Sequence, residues 1–242
     1  MNIRRVAIAV SAIVALLSPA AADAATTRTV TFRTDDGVTI AATFYEGVRR
    51  PAPAVILLHM LARSRDDWQT VATRLADAGI HALAIDFRGH GGSSPVQASG
   101  GETDWARLAL DVKASRAFLA SRPDLVQTTL IGIAGASIGA NIAIIAAAAD
   151  PSIKSLALLS ASLEYRSLRA DAAMRKYGAR PALLIAGSND AYALRSAKAL
   201  AALGGGTREI KTLDDAGHGT NMFNHDPDLV RVLVDWFLRT LL

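Results

Sequence analysis

Leu130-Ile131-Gly132-Ile133-Ala134-Gly135-Ala136-Ser137-Ile138-Gly139-Ala140-Asn141 runs from an apolar stretch of strand character into an alanine-rich stretch of helical character. The pentapeptide Gly135-Ala136-Ser137-Ile138-Gly139 at the junction has the pattern G-x-S-x-G. Its glycines have a steric purpose. A strand-to-helix turn sharp enough to lift a serine hydroxyl clear of a sheet brings backbone against the positions on either side, and glycine carries no Cβ to clash. The helix that follows aims its first N–H groups back at the turn, where they favour developing negative charge. Ser137 is therefore the candidate nucleophile, and the N–H of Ile138 a candidate donor to an oxyanion.

Working outward, short and almost wholly apolar runs at 54–58, 82–85, 129–134, 155–159, 181–186 and 209–213 alternate with helical patterns at 66–78, 104–121, 138–149, 191–201 and 228–241. Such alternation predicts a mostly parallel sheet with helices on both faces. Upstream, β-formers at 29–34 and 38–45 flank Asp35-Asp36-Gly37, which predicts an N-terminal antiparallel hairpin. In a sheet of this kind ligands bind beyond the carboxyl ends of the strands. Asp190 and His218 both follow predicted strands, in Gly187-Ser188-Asn189-Asp190 and Asp214-Asp215-Ala216-Gly217-His218-Gly219.

A serine hydroxyl at neutral pH needs a base to accept its proton and an acid to fix that base's tautomer. The order serine, Asp190, His218 supplies both. Asp214 and Asp215 compete for the role of the acid, although their place in the histidine's own loop suits turn-shaping better. His225 competes as the base. His81 and His90 read as packing or surface histidines. Gly89-His90-Gly91-Gly92 is glycine-rich, yet it has neither the spacing nor the lysine of a phosphate-binding loop.

Bulk properties narrow the function. The 242 residues suit one α/β domain, with 51% hydrophobic and 20% charged residues. The formal charge of +4 is scattered with no basic stripe, so no nucleic-acid partner is expected. Cysteine is absent, which excludes disulfides, thiolate metal sites and a cysteine nucleophile. No His/Asp/Glu cluster has metal-ligand spacing, and no cofactor is implied. Arg4 and Arg5, the apolar run 6–17 and Ala22-Asp23-Ala24 predict a signal peptide over residues 1–24, with the mature domain at 25–242. The expected location is the periplasm or the outside of the cell, with no stable membrane span after cleavage. Oligomeric state is left open.

Leu57-Leu58-His59 through Trp68, Asp86-Phe87-Arg88-Gly89-His90-Gly91-Gly92-Ser93, the Gly135 to Gly139 turn, Asp190 and Ala216-Gly217-His218-Gly219 together resemble the α/β-hydrolase superfamily over nearly all of the mature chain. They are similar in particular to its small, lidless carboxylesterases and dienelactone hydrolases. The resemblance implies an α/β-hydrolase fold and a serine hydrolase acting through an acyl-enzyme on small to medium esters or thioesters. Lactone hydrolysis, amide hydrolysis and perhydrolysis are served by the same triad, and a catalytically inactive binding protein is the non-enzyme alternative. It also implies that the residue two past His59, Leu61, gives the second oxyanion N–H. Met60 stands where the family usually has glycine. Asp86 to Ser93 is implied to be a structural loop with Arg88 tied into the scaffold. Only residues 163–180 lie between two late strands, room for a short helix but no large cap domain. Met60, Leu61, Leu163, Tyr192 and Met222 are the expected apolar lining of an open crevice.

Overall fold

The computed structural model describes residues 25–95 and 105–242. The predicted signal peptide, and the first residue of the helix predicted over 104–121, lie outside the described residues. Among the described residues ten strands and six α-helices follow in the order β1 (Thr26–Arg33), β2 (Thr39–Glu46), β3 (Ala52–Leu58), α1 (Gln69–Asp77), β4 (His81–Ile85), α2 (Leu108–Ala120), β5 (Val126–Ala136) and α3 (Ile138–Ala149). They continue with β6 (Ile153–Leu159), β7 (Glu164–Tyr165), β8 (Leu168–Arg169), α4 (Ala170–Tyr177), β9 (Ala182–Gly187), α5 (Ala191–Ala201), β10 (Arg208–Leu213) and α6 (Leu229–Leu241).

Eight strands form one sheet in the order β1-β2-β4-β3-β5-β6-β9-β10. From β4 to β10 every pairing is parallel, while β2 pairs antiparallel with both β1 and β4. The mostly parallel sheet with its N-terminal hairpin is thus as the apolar runs imply. Alternation within β3 shows how the faces are filled. Ala54, Ile56 and Leu58 enter a core shared with α2, α3, α4 and α5, whereas Val55 and Leu57 enter one shared with α1 and α6. All of β3 is buried, which is why its sequence reads as continuously apolar.

The segment between β6 and β9 holds more than the expected short helix. Before α4 it forms a hairpin, β7 and β8, pairing Glu164 with Arg169 and Tyr165 with Leu168. Its connection, Arg166-Ser167, has both φ angles positive (48° and 66°). That is the backbone of the tight hairpin turn usually occupied by Asn-Gly. Neither residue is one that a sequence reading associates with it.

Asp86 to Ser93 is a scaffold loop. Asp86 accepts hydrogen bonds from the backbone of Arg65 (2.7 Å) and Gly92 (2.8 Å) and pairs with the Arg65 guanidinium. Buried Arg88 is bound between Asp36 (2.6 Å) and Asp111 (2.7 Å). The guanidinium lowers the Asp36 pKa, while burial raises that of Asp111. These bonds fasten the N-terminal hairpin and α2 to the end of β4.

Candidate active site

The turn at Ser137 has the shape its glycines require. Ser137 has φ +53°, an uncommon value for a residue with a side chain. Its N–H donates to the Leu159 carbonyl (2.8 Å), tying the turn to the end of β6. A Cβ on Gly135 would fall on the backbone of Gly139, and one on Gly139 would come within 2.5 Å of the Leu58 carbonyl and 2.6 Å of that of His59. The first turn of α3 therefore seats directly on the ends of β5 and β3. No other residue fits at either glycine without moving backbone.

Asp190 is the N-cap of α5. One carboxylate oxygen accepts from the Ala193 N–H (3.1 Å), while the other accepts from His218 Nδ1 (2.5 Å). The cap holds the carboxylate at a fixed angle. His218 Nε2 is in turn 2.8 Å from Ser137 Oγ. With Nδ1–H given to Asp190, Nε2 is the acceptor for the serine proton.

The His218 loop is stitched to its neighbours. Gly217 N–H donates to Asn189 Oδ1 (2.9 Å), Asn189 Nδ2 to Asp215 Oδ1 (2.5 Å), Asp215 N–H to Ser188 Oγ (2.9 Å) and Gly219 N–H to Ser160 Oγ (3.0 Å). Asp215 thus shapes the turn and does not reach the histidine ring. His225 ends the turn Gly219–Asn224, and among the described residues its ring makes no hydrogen bond to Ser137. His81 is buried and bonded to Gly47 and Leu125, and the His90 ring bonds to Arg88 O.

The two expected oxyanion donors follow neighbouring strands. Leu58 pairs with Gly135 across β3 and β5, and Leu61 and Ile138 each lie three residues further along. Among the described residues neither N–H has a hydrogen-bond acceptor. His59, which sequence reasoning used only as a landmark, governs this loop. It is fully buried, accepts from the Phe87 N–H at Nε2 (3.0 Å) and donates from Nδ1 to Met60 O (2.7 Å). Met60 O and Leu61 N–H belong to one peptide plane, so this bond also sets the direction of the Leu61 N–H. Burial lowers the His59 pKa to about 4, which keeps the ring neutral and able to make both bonds.

Met60 fits without strain, because the positive φ of this loop falls on Ala62 (58°). Its sulfur takes the space that a Cβ on Gly219 would need, 2.6 Å from that position. Met60 consequently packs beneath the histidine loop. Leu61 and Leu163 are partly buried at the edge of the α2–α5 core, and Tyr192 is half exposed, its hydroxyl donating to Glu164 O (3.1 Å). Met222 does not line a crevice. It is fully buried in the core with α1 and α6, because the helical turn after His218 tucks its side chain inward. Among the described residues no group of histidine, cysteine or acidic side chains could hold a metal ion, and no helix is long and apolar enough to cross a membrane.

The sheet order, the strained serine turn and the Ser137, His218 and Asp190 alignment define an α/β hydrolase. Residues 49–178 match the serine aminopeptidase S33 family, and the chain belongs to it. The protein is thus a hydrolase. Its fold is similar to that of the dienelactone hydrolase of Anabaena variabilis, with a TM-score of 0.75 and 20% identity over 91% of this chain and 100% of that one. It is also similar to the esterase Pf2001 of Pyrococcus furiosus, with a TM-score of 0.70 and 20% identity over 90% and 94%. Epoxide hydrolase A of Mycobacterium tuberculosis is 49% identical over 47 residues, 19% of this chain and 15% of that protein.

Proposed function

We propose that the protein hydrolyses carboxylic esters or thioesters of small to medium acyl groups, with Ser137, His218 and Asp190 as its catalytic residues. The observation that carries this is the unbroken chain from Ser137 Oγ to His218 Nε2 (2.8 Å) and from Nδ1 to Asp190 (2.5 Å). Ser137 Oγ bonds to the carbonyl carbon as its proton passes to Nε2. The carbonyl electron pair moves onto oxygen, where the Leu61 and Ile138 N–H groups receive it; one such donor is typically worth about 10²- to 10³-fold in rate. Collapse of this intermediate breaks the bond to the leaving group, which takes the proton from Nε2. Water then repeats the sequence on the acyl-enzyme and releases the acid. Asp190 stabilises the imidazolium throughout.

The chain between β6 and β9 contributes a hairpin and α4 and no large cap, and on this reading the substrate lies near Leu61, Leu163 and Tyr192 in a site that suits a short acyl chain. A fluorophosphonate probe is expected to label Ser137. Ser137→Ala is expected to abolish both labelling and hydrolysis of p-nitrophenyl acetate and butyrate. A wild-type protein that is neither labelled nor active overturns the reading, and turnover of aminoacyl p-nitroanilides in place of esters would assign it to amides.

A further inference from the structure

Arg166 sits at the tip of the β7–β8 hairpin with its guanidinium carbon 4.6 Å from the centre of the Trp105 ring and 5.3 Å from that of Tyr165. Its Nε donates to the Tyr165 hydroxyl (2.9 Å), and among the described residues its two terminal nitrogens bond to nothing. Among the described residues, Glu164 (3.4 Å) and Asp171 (3.0 Å), the acids of the hairpin and of the first turn of α4, both pair with Arg169. Two aromatic faces therefore hold a planar cation in place without neutralising it.

The hairpin is anchored beside the catalytic residues. Just before it, Ser162 exchanges two hydrogen bonds with the side chain of Asn141, both 3.0 Å, and Asn141 lies in the first turns of the helix that begins after Ser137. Above it, Tyr192, two residues past Asp190, bonds to Glu164 O (3.1 Å). Trp105 stands just before α2, whose Leu108 and Val112 pack in the same core as α3 and Leu168 of the hairpin. The turn that carries Arg166 is also strained, with φ of 48° and 66° on two residues that have side chains, and such strain collects where a side chain must be presented in one direction.

Building on the hydrolase reading above, we propose that Arg166 is a specificity-determining residue that selects esters carrying a second, ionised carboxylate, received by its two unbonded terminal nitrogens. A guanidinium presents those nitrogens as a fork that matches a carboxylate.

The test compares monomethyl esters of C4 to C8 dicarboxylic acids with their uncharged dimethyl esters, and ω-acetoxy carboxylates with their methyl esters. The first series puts the charge on the acyl side, the second on the alcohol side. Wild-type kcat/KM is expected to favour the anionic member of one series, with a peak at the chain length that spans Ser137 to Arg166. Arg166→Gln is expected to lower that anionic-to-neutral ratio roughly three- to tenfold. Arg166→Lys should recover part of the ratio, and Arg175→Gln, on the outer face of α4, should leave it unchanged. A ratio insensitive to Arg166 in both series overturns the proposal. Calorimetric binding of the same anions to Ser137→Ala reads the site without turnover. Binding that Arg166→Gln weakens supports the carboxylate site even if the wild type hydrolyses nothing, whereas binding that is absent, or indifferent to Arg166, overturns it.

Discussion

Both the Ser137 turn and the Arg166 turn hold side-chain-bearing residues at positive φ, but different things keep them there. At Ser137 the constraint is backbone: Gly139 seats on the carbonyls of Leu58 and His59, and the Ser137 N–H is bonded to Leu159. At Arg166 it is two short strands, two aromatic rings and two tyrosine hydroxyls. Backbone contacts survive most substitutions, whereas contacts between side chains do not. The backbone path of the Ser137 turn is therefore hard to alter without unfolding, while the hairpin can be changed residue by residue.

The largest expected effect lies in the backbone-held centre. Asp190→Asn keeps an acceptor to cap α5 but no longer fixes the His218 tautomer, and steady-state kinetics should show kcat down by about 10⁴-fold with little change in melting temperature. Next comes Gly139→Ala, whose methyl would meet the Leu58 carbonyl at 2.5 Å. Urea denaturation should show a loss of roughly 2–4 kcal/mol, or no folded protein.

A smaller effect is graded by pH. The His59 pKa is lowered from 6.5 to about 4, and that of His81 is lowered as well, both through burial. As pH falls below 6.5 the unfolded chain takes up protons that the folded one refuses, so stability declines, and the His59 contribution levels off below about pH 4. Denaturation midpoints between pH 7.5 and 4.5 should follow that slope, and His59→Gln should remove about 1.4 kcal/mol per pH unit of it at its steepest. The smallest effect belongs to the rim. Tyr192→Phe loses one half-exposed hydrogen bond and should cost about 0.5 kcal/mol or less in thermal denaturation. A much larger loss would mean that the hairpin is held as firmly as the centre.

This contrast also separates what was legible in the sequence from what was not. Gly135, Gly139 and the apolar strands report backbone constraints, and a steric requirement for glycine, or burial on both faces, is visible at single positions. The convergence of Ser137, Asp190 and His218 was legible from position: Asp190 follows the wholly apolar β9, whereas the strand before His218, REIKTL, is marked by alternation and not by an apolar run. The β7–β8 hairpin was not, because its strands are too short to show a period and Arg166-Ser167 lacks the glycine or asparagine that marks such a turn. Met222 was misplaced because closeness to His218 in sequence does not say which way a tight helical turn aims its side chain. Met60 looked like a defect in the oxyanion loop. Its sulfur packs against Gly219, 159 residues away in the chain, and no local pattern connects the two.

Asp190 gives one oxygen to the first turn of a helix and the other to the histidine. Fraying of that turn and loss of the base's orientation are thus one event seen from two sides. If Asp190 and His218 act as proposed, each transient opening of the helix end takes the enzyme out of service for as long as it lasts. Substitutions that secure the beginning of α5 should therefore slow thermal inactivation before they raise the temperature of global unfolding. The reserve of activity at high temperature would then be set in one helical turn before the core beneath it.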